Sequence, residues 1–120
     1  MIGADGAGVV DGTGDEVVIV PSLRWGERQA APGSEWQILG DHVPGTYAEL
    51  VQVPAECVAP KPAAWTWYEA AAFPLVGLTT YRALFTRGRL TAGESLLVLG
   101  AGGGVATTAV MLGAAVGADV

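Results

Sequence analysis

The stretch SLLVLGAGGGVATTAVMLGAAVG, residues 95–117, decides the fold of this chain. Its apolar run, residues 96–99, shows no polar alternation, which is typical of a strand covered on both faces in a parallel sheet. Five glycine or alanine residues follow at positions 100–104, and then a segment dominated by alanine, valine, leucine and threonine. This order predicts a strand, a tight turn and a helix from about Gly104 to Val116.

The glycine turn has two interpretations. Glycines suit a place where the backbone turns sharply and where a ligand phosphate approaches the amide groups of a helix N-terminus, whose unpaired N–H groups and dipole favour an anion. A glycine-rich loop that joins a buried strand to a helix without any ligand explains the same residues, and a bare glycine pattern is a weak match. This stretch alone leaves both interpretations open.

The composition indicates a chain rich in core residues. Hydrophobic residues make up 51% of the 120 positions and charged residues only 15%, whereas about a quarter of the residues of an ordinary soluble domain are charged. The excess predicts apolar surfaces that further sequence or a partner covers.

Charge and cysteine content exclude several classes of function. The formal net charge is −6 and the six basic residues are scattered, so we expect no nucleic-acid binding through phosphates. The single cysteine, Cys57, excludes an internal disulfide and a cysteine-rich zinc site. No apolar run reaches about 18 residues and no signal-like segment opens the chain. We therefore expect a cytoplasmic protein without a membrane segment.

The first half of the chain predicts short strands around a long loop. A glycine-dense run ends on a Val-Val pair at Val10 and suggests a turn that enters a strand, and a second run at residues 16–20 is rich in β-branched residues. The two are expected to pair as a hairpin. Residues 21–45 show no periodicity, although two tryptophans argue for a packed loop. Residues 46–54 have the mixed pattern of a partly buried strand that a proline ends, and an extended connection follows at residues 56–62.

The second half predicts helices and the buried strand. A helix should begin near Thr66, whose hydroxyl can cap a first turn that contains Glu69. Pro74 interrupts the helical pattern and predicts two helices, at residues 68–73 and from residue 75 or 76 to residue 86. The last three residues, 118–120, have the composition of another strand. Composition also marks a boundary near residues 60–64.

Several segments together resemble the medium-chain dehydrogenase/reductase superfamily, which includes zinc-type alcohol dehydrogenases and quinone oxidoreductases. They are GADGAGVV (3–10), GDEVVIV (14–20), GTYAELVQVPAE (45–56), KPAAWTWYEAAAFPLVGLTTYRALF (61–85) and LTAGESLLVLGAGGGVATTAV (90–110). Independent segments in the right order and spacing are a stronger signal than one glycine motif, and the resemblance covers nearly the whole chain.

The resemblance implies an α/β fold in two parts. Residues 1–62 would be the C-terminal part of a GroES-like β-barrel domain, which forms the substrate cleft in the family. Residues 63–120 would contain the crossover helices and the first β-α unit of a Rossmann domain that binds NAD(P). Both domains would be incomplete, so the resemblance leads us to expect a chain truncated at both ends.

The resemblance also implies the cofactor-binding residues. Relatives have G-x-x-G-G-V-G where residues 100–106 stand here, and Ala106 replaces the last glycine, a tolerated change because that position serves close helix–strand packing. Thr79 matches the threonine that relatives place beside the nicotinamide; alternatively, its hydroxyl bonds back to the preceding helical turn. The predicted cofactor-binding residues are Thr79, Gly100, Gly102, Gly103, Gly104 and Val105, with the amides of the last two facing the pyrophosphate.

The zinc positions depart from those of the family's zinc enzymes. Ala4 stands where those relatives have a histidine, and Leu75 stands where they have a cysteine ligand. Residues 21–40, where the family's four-cysteine lobe would lie, contain no cysteine. A zinc site needs thiolate or imidazole ligands. The resemblance therefore implies a zinc-free member, with no metal-binding residue, in which the hydride chemistry belongs to the nicotinamide.

Other candidate side chains have an ordinary explanation beside a functional one. His42, the only histidine, could donate a proton near neutral pH or be an ordinary loop residue. Trp25 and Trp36 could line a substrate cleft or anchor the loop. We interpret Cys57 as a thiol without chemistry.

Two hypotheses of function follow. The first is a fragment of a zinc-independent oxidoreductase that transfers hydride between NAD or NADP and a small-molecule carbonyl, quinone or activated alkene; the resemblance leaves room for a homodimer of the longer parent. The residue that selects NAD or NADP would lie at or beyond Val120. The second is a catalytically inert remnant or association module, because a lone strand-helix unit leaves its sheet edges unpaired.

Overall fold

The computed structural model describes residues 2–120, and the chain is of the α/β class that the sequence predicts. Its strands are β1 (Ala7–Val9), β2 (Glu16–Ile19), β3 (Ser22–Leu23), β4 (Gln37–Ile38) and β5 (Val58–Pro60). Its helices are α1 (Trp67–Ala72), α2 (Pro74–Tyr81) and α3 (Gly104–Val116), with a 3₁₀ turn at Ala55–Cys57 and a π-helical turn at Arg82–Arg87. The chain divides into two compact units, the first ending at Leu75 and the second starting at Val76.

A three-stranded antiparallel sheet organises the first unit. β1 pairs with β2 in a register that sets Ala7 opposite Val18, and β2 pairs with β5 so that Val18 also lies opposite Ala59. The strand order is β1-β2-β5. The predicted hairpin is therefore confirmed, and the predicted extended connection supplies the third strand.

Residues 21–45 form a packed loop, as the two tryptophans predicted, and contain two strands that the pattern did not show. β3 and β4 pair antiparallel. The rings of Trp25 and Trp36 meet edge to face with their centroids 5.9 Å apart. Trp36 Nε1–H donates to Ser22 Oγ at 2.9 Å, and Trp25 Nε1–H donates to the Arg28 carbonyl oxygen at 2.8 Å. These bonds lie inside the loop and support the anchoring interpretation of both tryptophans.

Residues 46–54 do not form a strand, so that prediction is wrong. The first two amides of the segment donate to the carbonyl oxygens of Gly3 and Ile2 at 2.8 and 3.0 Å. No strand pairs with the remainder among residues 2–120, and the Leu50 side chain is 84% exposed. A strand exists through its hydrogen-bonded neighbour, and the residue pattern of one segment cannot supply that neighbour.

The core of the first unit contains the lone cysteine. Cys57 is buried together with Leu23 and Leu39, and partly buried aliphatic side chains pack against this cluster. Burial raises the pKa of the Cys57 thiol, although a hydrogen bond from the Arg24 amide opposes the effect. A thiol with a raised pKa forms less of the reactive thiolate, which supports the interpretation of Cys57 as a residue without chemistry.

Lys61 connects the sheet to α1. Its side chain is only 7% exposed, and its Nζ lies 3.0 Å from Glu16 Oε2 on β2. The same Nζ lies 4.9 Å from the centre of the Trp67 ring. The buried ammonium group is therefore paired with a carboxylate and with an aromatic face, both of which stabilise a cation.

The helices begin close to the predicted positions. The Thr66 hydroxyl accepts a hydrogen bond from the Glu69 amide, and the Glu69 carboxylate accepts one from the Thr66 amide at 2.8 Å, which completes a capping box at α1. Two helices are present as predicted, but the break falls at Phe73 and Pro74 is the first residue of α2. α2 ends at Tyr81, short of the predicted residue 86, which lies in the π-helical turn. The π-helical turn that follows α2 ends at Gly88. No helix within residues 2–120 is long and apolar enough to cross a membrane.

The apolar run at residues 96–99 is less regular than predicted. It is not a strand in the structure, and a single parallel bridge joins Ser95 to Asp119. The side chains of Leu97 and Leu99 are 85% and 82% exposed. The prediction of a strand covered on both faces is therefore wrong for this chain. A central strand of a sheet also needs hydrogen-bonded neighbours along both of its edges. Within the described chain, backbone bonds reach the run only at its start.

α3 occupies the predicted range and approaches the apolar run closely. A Cβ atom at Gly113 would lie 2.7 Å from Leu96 Cδ2 and 3.0 Å from Val120 Cγ2, so only glycine fits there without rearrangement. Gly117 ends the helix in the left-handed conformation, with φ of 86°. The close packing of α3 on the apolar run at Gly113 was not singled out in the sequence.

Candidate functional site

The predicted phosphate turn lies immediately before α3. Gly100 has a φ of 69°, a left-handed conformation that glycine adopts without strain. The Gly103 N–H donates to the Gly100 carbonyl oxygen at 3.1 Å. Gly103 is also the N-cap residue of α3 and makes no side-chain cap. The backbone therefore turns within four residues and enters the helix with its first amides uncovered.

The N–H groups of Gly104, Val105 and Ala106 have no acceptor in the described part of the chain. The first N–H groups of any α-helix lack intrahelical partners, and a side-chain cap often satisfies them. Here the cap residue is glycine, so water or a ligand must accept these bonds. The amides point outward at the positive end of the helix dipole, which favours an anion.

Gly102 and Gly103 are not required by the packing of the chain itself. Neither has a positive φ. Among residues 2–120, a Cβ at Gly102 would meet no atom within 4 Å, and a Cβ at Gly103 would lie 3.7 Å from its nearest neighbour, the Gly100 carbonyl oxygen. Alanine would therefore fit at both positions. A surface without side chains next to unpaired amides is what close approach of a phosphate requires.

A cleft of about 550 Å³ lies in the second unit, bounded by α2, residues 96–99 and the start of α3. Gly103, Gly104 and Val105 line this cleft. The other predicted cofactor-binding residues, Thr79, Gly100 and Gly102, are not part of its lining. The structure thus places three of the six predicted residues on one concave surface.

The two adjacent threonines of α2 have different environments. Thr80 is 1% exposed, and its hydroxyl donates to the Val76 carbonyl oxygen at 2.7 Å. Thr79 is exposed, and its hydroxyl has no hydrogen-bond partner within residues 2–120. The bond back to the preceding turn, which the sequence left open for Thr79, is made by Thr80. The Thr79 hydroxyl therefore stays available to a ligand.

Ala4 and Leu75 lie close together in the first unit. They occupy the two positions at which the resemblance places zinc ligands in the zinc enzymes of the superfamily. Asp5, next to Ala4, accepts a hydrogen bond from the Leu75 amide through its Oδ1 atom. The side chains of Ala4 and Leu75 carry no metal-binding atom. Within residues 2–120, no three His, Cys, Asp or Glu side chains are grouped so that they could hold a metal ion. The side chains at positions 4 and 75 therefore supply no zinc ligand.

Burial raises the pKa of the Asp5 carboxyl, and the hydrogen bond from the Leu75 amide opposes this shift only in part. A raised pKa means that the folded chain binds the proton more tightly than the unfolded chain does. The contribution of Asp5 to stability is therefore largest at low pH, and it falls as the pH rises from the unfolded pKa through the folded pKa.

We expect Asp5→Asn to raise the free energy of unfolding at neutral pH and Asp5→Ala to lower it by about 1–2 kcal/mol. Asparagine keeps an acceptor for the Leu75 amide without a buried charge, whereas alanine leaves that amide unpaired. Urea unfolding at a pH below the ordinary aspartate pKa and again at neutral pH measures the difference. The advantage of Asp5→Asn over the wild type should grow with pH, and a constant difference would contradict the assignment.

His42 makes contacts typical of a loop residue. Its Nδ1 accepts the Ile38 N–H at 3.2 Å and lies 3.5 Å from Asp41 Oδ2. Its ring packs against Trp36 with the ring centres 5.6 Å apart. All of these partners belong to the same loop, which supports the ordinary interpretation of His42 over a role as proton donor.

Known proteins resemble this chain over part of their length, although no protein-family model matches it. The chain is 37% identical, over all 120 residues, to a segment comprising 3% of component PikAII of the pikromycin polyketide synthase of Streptomyces venezuelae. The solved structure of an NAD-dependent alcohol dehydrogenase matches with a TM-score of 0.89 and 38% identity, covering 98% of this chain and 39% of that chain.

A quinone oxidoreductase from Thermus thermophilus, whose structure was also determined in complex with NADPH, matches with a TM-score of 0.68 and 31% identity. The match covers 96% of this chain and 31% of the quinone oxidoreductase. The chain thus spans well under half the length of each of these three relatives. The structural similarity extends over both compact units.

Proposed function

The chain belongs to the medium-chain dehydrogenase/reductase superfamily over the length that it spans, and on that premise we propose that its second unit binds the pyrophosphate of NAD(H) or NADP(H). The observation that carries the proposal is the glycine turn. It offers the unpaired amides of Gly104 and Val105 beside Gly102 and Gly103, whose lack of side chains the fold does not require. An NAD-dependent alcohol dehydrogenase and an NADPH-binding quinone oxidoreductase among the relatives support the same cofactor class.

The charge distribution supports an anionic ligand in the second unit. Ten of the twelve acidic residues precede Val76, whereas the second unit contains three arginines and only two acidic residues. A dinucleotide pyrophosphate carries negative charge, so the acidic first unit is the less favourable place for it. The exposed Thr79 hydroxyl is proposed to lie beside the nicotinamide, as the resemblance to the superfamily implies.

The proposed reaction is a hydride transfer between the nicotinamide and a carbonyl, quinone or activated alkene of a small-molecule substrate. A bound nicotinamide supplies the hydride chemistry, and the residues of this chain hold and orient the cofactor. We propose that the reaction is independent of zinc. The support is that Ala4 and Leu75 occupy the ligand positions, and that the neighbouring Asp5 carboxylate already bonds to the Leu75 amide.

A second candidate function is that of an association module. The apolar run at residues 96–99 favours it, since Leu97 and Leu99 expose most of their side chains and, within residues 2–120, the bridge beside the run is limited to Ser95. Unpaired strand edges with apolar side chains are sites of association between chains. This candidate predicts self-association that increases with protein concentration.

One titration separates the two candidates. NADH and NADPH are added to the isotope-labelled chain while the backbone amide resonances are followed by NMR. Saturable shifts confined to Gly102, Gly104, Val105 and their neighbours would support the cofactor site. Absence of shifts with both cofactors, combined with concentration-dependent self-association in sedimentation experiments, would reject it in favour of the association module.

A further inference from the structure

Thr107 connects α3 to the glycine turn through its side chain. Its Oγ1 donates to the carbonyl oxygen of Ala101 at 2.9 Å, and its backbone N–H donates to the carbonyl oxygen of Gly103 at 2.8 Å. The two acceptors flank Gly102. One residue, a full turn inside the helix, therefore bonds to the turn on both sides of that glycine.

This hydrogen bond differs from the usual one made by a helical threonine. Hydroxyl groups of helical serine and threonine commonly bond to the carbonyl three or four residues earlier, and Thr80 does so with Val76. The Thr107 hydroxyl instead reaches six residues back, past the start of the helix, to Ala101. The bond therefore stabilises the turn and not the helix.

The glycine turn has few other restraints. Within residues 2–120, one further backbone hydrogen bond joins residues of the turn, from Gly103 to Gly100. Four of the five residues at positions 100–104 are glycine, which has the largest conformational freedom to lose on ordering. A turn of this composition would sample many backbone conformations if the hydroxyl bond were absent.

The bond to Ala101 also fixes the direction of one amide. The carbonyl of Ala101 and the N–H of Gly102 belong to the same planar trans peptide and point in opposite directions. Because the carbonyl is bonded to Thr107, the Gly102 N–H is directed away from Thr107, and it has no acceptor in the described chain. The hydroxyl thus sets the orientation of a donor that it does not touch.

We propose that Thr107 is a positioning residue for the phosphate-binding turn, which holds the Ala101–Gly102 peptide in the orientation that presents the Gly102 amide to the pyrophosphate. This role rests on the proposed cofactor site. The residue contacts no reacting atom and acts only through the turn, so its removal should weaken binding of the dinucleotide without changing the fold.

The test compares Thr107→Val, which removes the hydroxyl at nearly constant volume, with Thr107→Ser, which keeps it. Valine should raise the Kd for NADH and for ADP-ribose by about 5- to 10-fold, the effect of one lost hydrogen bond, whereas serine should bind as the wild type does. Thr91→Val is the matched control, because the hydroxyl of that exposed threonine has no hydrogen-bond partner in the described chain. Its Kd should be unchanged.

A measurement on the ligand-free chain separates this proposal from the proposed cofactor site. The backbone order parameter of the Gly102 amide should fall in Thr107→Val and be retained in Thr107→Ser. Equal Gly102 order parameters in wild type and Thr107→Val would overturn the positioning role, whatever the binding results are. If the wild type binds the cofactor and Thr107→Val binds it with the same Kd, the positioning role is overturned and the cofactor site remains. If the Gly102 order parameter falls in Thr107→Val but the wild type binds no cofactor, the cofactor site alone is rejected.

Discussion

Replacement of Gly102 by valine should abolish detectable binding of NAD(H) and NADP(H) while the chain stays folded. The backbone at Gly102 has no positive φ, and the Cβ position meets no atom of residues 2–120 within 4 Å, so the fold accepts a side chain. The valine methyl groups would occupy the space that a phosphate needs beside the amides. Loss of two charge-assisted hydrogen bonds, each worth about 1.5–3 kcal/mol, weakens binding by at least about 100-fold.

The measurement is a cofactor titration followed by calorimetry, with thermal unfolding of the same samples. Gly100→Ala is the control for a loss of stability. The φ of 69° at Gly100 makes a side chain there cost about 1 kcal/mol of stability. Cofactor binding by Gly102→Val with the affinity of the wild type would show that the turn is not the phosphate site. An unfolded Gly102→Val chain would show that the fold itself requires the glycine.

Gly45→Ala should lower the free energy of unfolding by about 3 kcal/mol, a large effect on stability for a single methyl group. Its Cβ would overlap the carbonyl oxygen of Gly3 and lie 2.6 Å from the carbonyl carbon of Ile2. These are backbone atoms, which cannot rotate aside as a side chain does. Relief of the clash would break the hydrogen bonds that the next two residues make to the same carbonyls.

Gly8→Ala is the matched control for this substitution. Gly8 lies inside β1, its φ is not positive, and a Cβ there meets no atom of the described residues within 4 Å. We expect its stability to stay within about 0.5 kcal/mol of the wild type or to rise slightly, because alanine reduces the freedom of the unfolded chain. Urea unfolding curves measured side by side should differ strongly, and equal midpoints for the two variants would contradict the close approach at Gly45.

The superfamily could be recognised from the sequence because several segments occur in the right order, and the helices could be placed because their signals are local. The capping box of Thr66 and Glu69, and the break next to Pro74, act between neighbours in the chain. The bounds of α3 follow from the glycines on either side of it. Each of these signals needs only a few consecutive residues, so no tertiary information is required.

The strands could not be placed as reliably, because a strand depends on a partner that is distant in the sequence. Residues 46–54 and 96–99 have strand-like patterns but form no strand in the structure. β3 and β4, with two residues each, are too short to show a pattern and pair because the loop folds back on itself. The alternation of side chains reports burial, and only the tertiary structure shows whether a neighbouring strand is present.

For the candidate site, the sequence by itself determined which residue types are present: a glycine turn before a helix, with alanine and leucine at positions 4 and 75. The tertiary structure decided which residues are committed to the fold and which are free for a ligand. It shows that Thr80 and not Thr79 bonds back to its helix, that Thr107 reaches Ala101, and that the chain's own packing leaves space at Gly102. These distinctions depend on distances between atoms that no pattern of consecutive residues encodes.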